Sequence, residues 1–368
     1  MTEPVTLLVG PFGRSALDVV RTGAAAAGHV LEVLDSPDEL AGWVGEGVRG
    51  LAAVVVDLRE AAAGMSAVEV RALPALASVP IIGLSPHLAD AVFQSAYAQG
   101  ADDCCAVDAS ALERRLVAVA ADPSAASPPN DDKVVVIADT DRNARVLVGR
   151  LFRAGGYRVV FATDPAEALR QAADPAAVLA VCSAELELAG EEPLSLRAPL
   201  AGSRAAWIVT APLRELPAVR AALRLGGDTR VATLDRARIA ENVLYVANEL
   251  LHPVPTNLRK TARVLHGVCV RVRFPTDDFE EVGYSHNLSE GGMYVRTLVR
   301  FIQGQELWLE LVAPGGSRRV HVEAEVIWNR VRASGIATVP RGFGARFTGG
   351  SEGDLGRLAA GYRTLLAP

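Results

Sequence analysis

The sequence predicts a multidomain protein in which two α/β domains, each a doubly wound parallel sheet, precede an antiparallel six-stranded β-barrel with a C-terminal helix. Three observations predict this order. Short β-branched runs alternate with Ala-rich amphipathic stretches, the alternation returns after a Pro- and Ser-rich break, and from about residue 267 apolar and polar residues alternate. The 368 residues are also too many for one ordinary core.

The first α/β domain is predicted over residues 1–121. Three of its strands are apolar runs, and amphipathic segments rich in Ala, Leu and Arg lie between them. Strand–helix–strand units of this length build a parallel sheet that is covered by helices on both faces. The three runs are VTLLVG from Val5, LAAVVVD ending at Asp57 and VPIIGLS ending at Ser85.

A linker is predicted at residues 122–132, where Pro, Ser and Asp replace the apolar periodicity. The strand–helix pattern then returns over residues 133–251, which predicts a second α/β domain. Its clearest strands are KVVVIAD ending at Asp139, VLAVCS ending at Ser183 and AAWIVT ending at Thr210.

The two α/β domains repeat the same spacing between strand ends, since Asp57 and Ser85 are as far apart as Cys182 and Thr210. Both domains resemble response-regulator receiver domains, which have a flavodoxin-like fold. In that family an acidic pair and an acceptor Asp surround Mg²⁺ at the carboxyl ends of the strands, and a Ser/Thr and a Lys hold the phosphoryl oxygens. Phosphotransfer requires all of these groups together.

Neither domain keeps the complete set. The first has Asp57 at the acceptor position, but it has Gly10-Pro11-Phe12 where the acidic pair should be and no matching Lys. The second keeps acidic residues around Asp139, but Cys182 or Ser183 stands where the acceptor belongs. We therefore predict two pseudo-receivers for docking or self-association, with Asp57 as a vestigial phosphoacceptor. The alternative is a response regulator that is switched by phosphorylation of Asp57.

Residues 252–368 are predicted to form the barrel. Six short runs alternate apolar and polar residues between Gly, Pro and Asp turns, and a helical stretch from Glu352 to Leu366 follows them. This pattern is typical of a small closed barrel that is capped by one helix. The runs are GVCVRVRF, EEVGYSHN, GMYVRT, QELWLELVA, RRVHVEAEVIWNRV and FGARF.

Two polar motifs accompany the barrel. LRKTAR (Leu258–Arg263) precedes it, and NLSEGG (Asn287–Gly292) lies between its second and third strands. Arginine can bind a phosphate or the O6/N7 edge of guanine through two parallel hydrogen bonds, and it can stack on a purine. Asn and Ser add hydrogen bonds, and Gly allows a close backbone approach. Alone, each motif is also typical of a basic surface segment or a hairpin turn.

Together the motifs resemble the RxxxR and [D/N]xSxxG signatures of PilZ domains, which bind cyclic di-GMP, and the VIWNR and GFGARF runs are similar as well. The resemblance implies a cyclic di-GMP receptor with no catalytic residue, no cofactor and no metal. Trp328 is a further candidate for the site. The implied ligand-binding residues are Arg259, Lys260, Arg263, Asn287, Ser289, Gly291, Gly292 and Arg296.

We therefore expect a bacterial, cytoplasmic effector that binds cyclic di-GMP and transmits its level to an unidentified protein partner or through self-association of the receiver-like domains. A net charge of −6 argues against bulk nucleic-acid binding, and no apolar run is long enough for membrane insertion. The four cysteines and six histidines lack metal-ligand spacing. A second alternative is an interaction scaffold whose barrel binds no ligand.

Overall fold

The computed structural model of the chain describes residues 3–10, 12–45, 50–58, 67–76, 79–120, 130–188, 204–223, 230–252, 261–275, 280–330 and 340–366. In these ranges the strands form two parallel sheets and one antiparallel barrel, in the predicted order. No helix within them is both long enough and apolar enough to cross a membrane. All four cysteines lie within these ranges and are buried, and none of them forms a disulfide bond.

The first parallel sheet has five strands in the order β2-β1-β3-β4-β5, which is the flavodoxin-like order and confirms the predicted fold. Its central strands are buried because helices cover both faces. The strands are β1 Val5–Val9, β2 Val30–Leu34, β3 Leu51–Asp57, β4 Ile81–Ser85 and β5 Asp103–Ala106. The helices are α1 Arg14–Ala26, α2 Pro37–Gly45, α3 Ala67–Ala72, α4 Asp90–Ala98 and α5 Ala109–Ala120.

The second parallel sheet repeats this order as β7-β6-β8-β9-β10. Two of its helices begin at a capping residue, because Asp141 and Asp164 each accept a hydrogen bond from a backbone N–H of the first helical turn at 2.8 Å. The strands are β6 Val134–Ala138, β7 Arg158–Ala162, β8 Ala177–Ser183, β9 Ala206–Ala211 and β10 Val231–Asp235. The helices are α6 Arg142–Ala154, α7 Pro165–Ala172, α8 Ala184–Leu188, α9 Leu216–Leu223 and α10 Ile239–Leu251.

The barrel domain has six antiparallel strands that pair in a closed ring, β12-β15-β16-β17-β14-β13, and this confirms the predicted barrel. The short strand β11 pairs with the end of β13. The predicted terminal helix follows the last strand as α11 Glu352–Leu366. The strands are β11 Val264–Leu265, β12 Cys269–Arg273, β13 Glu280–Ser289, β14 Gly292–Arg296, β15 Glu306–Val312, β16 Arg319–Arg330 and β17 Gly342–Gly350.

The barrel interior is filled by the apolar residues of each alternating strand. On β15, Leu307, Leu309 and Leu311 are buried, whereas the alternating residues Glu306 and Trp308 are exposed. Leu358 and Tyr362 of α11 belong to the same core. The terminal helix therefore closes the barrel core instead of lying apart from it.

The barrel domain packs against the first α/β domain through β13. The ring of Tyr284 stacks on Phe93 of α4, with centroids 5.7 Å apart and an interplanar angle of 6°, and lies 5.4 Å from the ring of Tyr97. Cys269 and Val282 join the same buried cluster. The core of the first α/β domain thus continues into the barrel domain.

A buried ion cluster reinforces this interface. Arg115 of α5 is fully buried, and its guanidinium lies 2.9 Å from a carboxylate oxygen of Asp103 and 2.9 Å from one of Glu281, which belongs to β13. It also donates to the Val282 carbonyl at 3.0 Å, and Asp103 accepts from the Leu298 backbone N–H at 2.8 Å. Each buried charge therefore has an opposite partner, which offsets the cost of its burial.

The two α/β domains meet around Asp102, at the start of β5. Arg71 of α3 lies 2.6 Å from one of its carboxylate oxygens, and Arg150 of α6 in the second domain contacts the other. Burial alone would raise the pKa of Asp102, but Arg150 and Arg71 hold it well below its usual range. The carboxylate is therefore charged in the folded protein and joins the two domains.

Candidate ligand-binding site

The strand ends of the first α/β domain are occupied by local hydrogen bonds. The Ser85 hydroxyl donates to the His87 carbonyl at 3.0 Å and accepts from the His87 N–H at 3.2 Å. Asp108, which follows β5, accepts from the Ala111 N–H at 2.8 Å. Asp57 lies at the end of β3. The Ser85 hydroxyl is thus engaged in a turn, and the Asp108 carboxylate is engaged at the start of a helix.

In the second α/β domain an arginine lies among the acidic side chains. Arg236, directly after β10, is 3.0 Å from Asp139, forms an ion pair with Glu185 and donates to the Ser183 hydroxyl at 3.4 Å. A guanidinium that was not predicted from the sequence therefore lies among these acidic groups, after the fifth strand of the sheet. Within the described residues, no three His, Cys, Asp or Glu side chains are placed to hold a metal ion.

A pocket opens on the outside of the barrel, beside the hairpin formed by β13 and β14. Its volume is about 140 Å³. This is less than the roughly 300–1,000 Å³ of sites that enclose a whole drug-sized ligand, so the pocket can enclose only part of a larger one. Its lining residues are Arg263, Asn287, Ser289, Gly291, Gly292, Met293, Tyr294, Ile327, Trp328, Gly344, Ala345 and Arg346.

The hairpin places the polar residues of the pocket. β13 ends at Ser289 and β14 begins at Gly292, so the turn has two residues. The Ser289 hydroxyl donates to the Gly292 carbonyl at 3.1 Å. Asn287 is buried and lies between Leu265 on β11 and Tyr294 on β14. Local strand pairing therefore brings the amide and the hydroxyl of one sequence motif to the same pocket.

The two glycines of the hairpin, Gly291 in the turn and Gly292 at the start of β14, differ in what surrounds them. A Cβ on Gly292 would collide with the carbonyl oxygen of Ala345 on β17, whereas a Cβ on Gly291 would have no atom within 4 Å. Gly292 is thus required for the close approach of β14 and β17. Gly291 is not required by packing.

Aromatic side chains line one side of the pocket. The rings of Tyr294 and Trp328 stack with centroids 4.9 Å apart and an interplanar angle of 21°. Gly344 makes this possible, because a Cβ there would collide with the Trp328 indole. His286 contacts Tyr294 edge to face at 6.1 Å and Tyr245 of α10 at 5.7 Å. A row of rings therefore connects the second α/β domain to the pocket.

The segment that carries Arg263 is fixed at two carbonyl groups. The Tyr245 hydroxyl of α10 donates to the Arg263 carbonyl at 2.8 Å, and the Tyr362 hydroxyl of α11 donates to the Ala262 carbonyl at 2.7 Å. The backbone is therefore held immediately before β11, and the Arg263 side chain lines the pocket.

The family of the barrel domain follows from its sequence. The model of the PilZ domain family matches residues 257–362. The barrel is a PilZ domain. No curated protein matches the chain as a whole.

Solved structures with similar parts include an inhibitor of motility from Bacillus subtilis (MotI/DgrA), which is 21% identical over 31% of this chain and 54% of that one, with a TM-score of 0.25. The chain thus spans about half the length of that protein. The PilZ domain of YcgR from Escherichia coli, solved with c-di-GMP, is 18% identical over 29% of this chain and 91% of its own, with a TM-score of 0.23.

A structure described as a two-component response regulator/GGDEF domain protein is 16% identical over 68% of this chain and 99% of its own, with a TM-score of 0.31. Scores this low support no argument. The receiver-like fold of the first two domains therefore depends on their strand order, and the PilZ assignment depends on the family match.

The PilZ domain brings most of the predicted site residues together. Arg263, Asn287 and Ser289 all line the pocket, as do Gly291 and Gly292. Their binding of a ligand stays a prediction. The predicted residues Arg259 and Lys260 lie outside the described residues.

Arg296 lies elsewhere than the sequence predicts. It ends β14, where its guanidinium lies 3.8 Å from the centroid of the Tyr97 ring in the first α/β domain, and it is buried. It does not line the pocket. Arg296 thus occupies the far end of β14 from Gly292, at the domain interface, and its part in ligand binding stays a prediction.

Two further residues of the pocket were missed or left open. Trp328 was only a candidate, and Arg346 was not considered. The signal for Arg346 is the GFGARF run, because a strand that pairs with the NLSEGG hairpin must carry one residue opposite Gly292. Its register could not be read from the sequence.

Proposed function

We propose that this chain is a cyclic di-GMP effector, in which the PilZ domain binds the messenger and no reaction is catalysed. One observation carries the proposal. Arg263 from the first motif and Asn287 and Ser289 from the second, separated in sequence by residues 264–286, line one pocket. Each offers a hydrogen-bonding group that suits a phosphate or a guanine edge.

The chemistry of the ligand fits this pocket in part. Cyclic di-GMP has two phosphates and two guanines, and the PilZ domain of Escherichia coli YcgR was solved with it. A volume of about 140 Å³ suits one base beside the Tyr294–Trp328 stack rather than the whole dinucleotide. The remainder would lie across the surface outside the pocket, and Arg259 and Lys260 stay predicted contacts of the ligand.

We propose further that the receiver-like domains are not phosphorylated. Ser85 is engaged by its own turn, and Arg236 fills the acidic site of the second domain. Incubation with acetyl phosphate and Mg²⁺ should leave the intact mass unchanged. A mass increase that is lost in Asp57→Asn would favour the alternative, a response regulator switched at Asp57.

Messenger occupancy is proposed to reach a protein partner, or a second copy of the chain, through the first α/β domain. Support comes from β13, since Glu281 and Tyr284 contact that domain while Asn287 and Ser289 line the pocket. A ligand that shifts the hairpin would bias this interface, provided that the two arrangements differ in affinity. Hydrogen exchange at β5 and α5 that is unchanged by saturating ligand would contradict this route.

Calorimetric titration of the full-length protein with cyclic di-GMP, with GTP as the control ligand, tests the proposal. Saturable binding of cyclic di-GMP alone is expected. Arg263→Ala should weaken it about ten- to a hundredfold, because a charged hydrogen bond contributes about 1.5–3 kcal/mol.

A matched control is Arg319→Ala, since Arg319 is a partly exposed arginine of the same barrel and does not line the pocket. Its affinity should equal that of the wild type. Absence of binding by the folded wild-type protein would leave an interaction scaffold.

A further inference from the structure

A charged row crosses the outer face of the PilZ domain beside the pocket. Strand pairing sets Glu306 opposite Glu325, Glu325 opposite Arg346, and Arg346 opposite Gly292. The Arg346 guanidinium lies 2.6 Å from a carboxylate oxygen of Glu325. Like charges that face each other across strands repel, so Arg346 offsets the repulsion between the two glutamates.

Arg346 also faces the pocket. Its side chain is 60% exposed and lines the pocket together with Arg263, Asn287 and Ser289. Its neighbour on β14 is a glycine, so no side chain on that strand separates the guanidinium from the turn. Arg263 directly precedes β11, which pairs with β13, and Arg346 lies on β17, which pairs with β14. The two cations therefore flank the β13–β14 hairpin.

We infer that Arg346 is a further ligand-binding residue and that Glu325 restrains it. This inference rests on the proposed function. A ligand with two phosphates carries two negative charges, and arginines on both sides of the hairpin can each bind one phosphate or one guanine edge. Glu325 competes for the same guanidinium and repels the phosphates.

Replacing the two partners of the ion pair should change the ligand affinity in opposite directions. In the full-length protein, Arg346→Ala should weaken cyclic di-GMP binding about tenfold, since it removes a charged hydrogen bond at a partly exposed position. Glu325→Gln should strengthen binding about two- to fivefold, because it removes a repelling charge. A merely structural ion pair would not produce opposite effects.

The barrel supplies a matched pair as the control. Arg319 and Glu310 form a similar cross-strand ion pair at 2.8 Å, with exposed fractions of 42% and 13%, away from this pocket. Arg319→Ala and Glu310→Gln should both leave the dissociation constant within twofold of the wild type. Thermal melting of every variant separates loss of fold from loss of affinity.

The outcomes distinguish the inference from the proposed function. No binding by the wild-type protein overturns both. Wild-type binding together with an Arg346→Ala affinity equal to that of Arg319→Ala overturns the role of Arg346 and leaves the proposed function standing. If Arg346→Ala does not fold, Glu325→Gln decides: tighter binding supports the inference, and unchanged or weaker binding overturns it.

Discussion

His286 is a buried histidine between the second α/β domain and the pocket. It lies at an irregularity of β13, and its ring contacts the edges of Tyr245 and Tyr294. Burial, with a smaller contribution from Arg296, lowers its pKa to about 3. The imidazole is therefore neutral in the folded protein at every physiological pH.

Stability should consequently depend on pH through His286. The unfolded chain binds the proton near the ordinary pKa of 6.5, while the folded protein resists it down to about 3. The contribution of His286 to the free energy of unfolding is therefore fully present above pH 6.5. It falls by up to about 1.4 kcal/mol per pH unit as the pH drops below that value. Urea unfolding between pH 7 and 5 gives the free energy of unfolding at each pH. Its change with pH should be smaller in His286→Gln than in the wild type. An equal slope in the wild type and in His286→Gln would contradict this dependence.

Single residues were predicted where the chemistry is local in sequence. Asn287 and Ser289 were found because one short motif contains both, and the hairpin keeps them adjacent. Arg236 and Arg346 were missed because their partners, Asp139 and Gly292, are distant in the chain and meet them only through strand register. Such pairs become visible only when the sheet order is known.

Strand β13 connects two environments within ten residues. Its first half contributes Glu281 and Tyr284 to the domain interface, and its second half contributes Asn287 and Ser289 to the pocket. The paired strand β14 repeats this division, with Gly292 at the pocket and Arg296 at the interface. One hairpin therefore lines the pocket at one end and forms the domain interface at the other.

The hairpin should tolerate a side chain at Gly291 but not at Gly292. Gly292→Ala places a methyl group against the Ala345 carbonyl and should lower stability by about 1–3 kcal/mol, as overpacking does. Gly291→Ala meets no atom within 4 Å and should change stability by about 0.5 kcal/mol or less. Chemical unfolding compares them, and equal midpoints would contradict the proposed close approach of β14 and β17.

Elements were predicted well where a period continues long enough. The barrel runs and the terminal helix at Glu352–Leu366 match the structure because alternation and helical periodicity are strong there. The short strand β11 was not predicted, since two residues carry no period. Its pairing with Asn287 and Leu288 nevertheless fixes where the chain after Arg263 joins the barrel.

At the scale of the whole molecule, the three domains share buried charge. Arg115 and Asp103 from the first domain and Glu281 from the PilZ domain are all buried together. Asp102 joins the first domain to Arg150 of the second. The domains are therefore joined by specific ion pairs as well as by apolar contact.

Removing the central cation should weaken the assembly strongly. Arg115→Met leaves two carboxylates in a buried interface and should cost about 3–5 kcal/mol, the usual penalty for one missing partner of a buried pair. Arg114→Ala is the matched control, because Arg114 contacts the same Glu281 but is partly exposed and should cost about 1 kcal/mol or less. Hydrogen exchange of β13 amides reports the interface directly. Equal protection of the β13 amides from exchange in both variants would contradict the proposed role of Arg115 at the interface.

Domain order was predictable from the sequence, but domain docking was not. Tyr284 and Arg296 have the alternation of ordinary barrel residues, and nothing local shows that their partners are Phe93 and Tyr97. This is why Arg296 was assigned to the ligand site. Docking depends on the complementarity of two folded surfaces, which no short-range pattern encodes.

The Tyr245 hydroxyl of the second α/β domain donates a hydrogen bond to the Arg263 carbonyl. A barrel excised from the chain would keep both sequence motifs and lose this hydroxyl, while the Tyr362 hydroxyl would still donate to the Ala262 carbonyl. The same excision would uncover Tyr284 and favour association of the fragment with itself. An affinity for the proposed ligand measured on the fragment would therefore not describe the chain in which Tyr245 holds this carbonyl group.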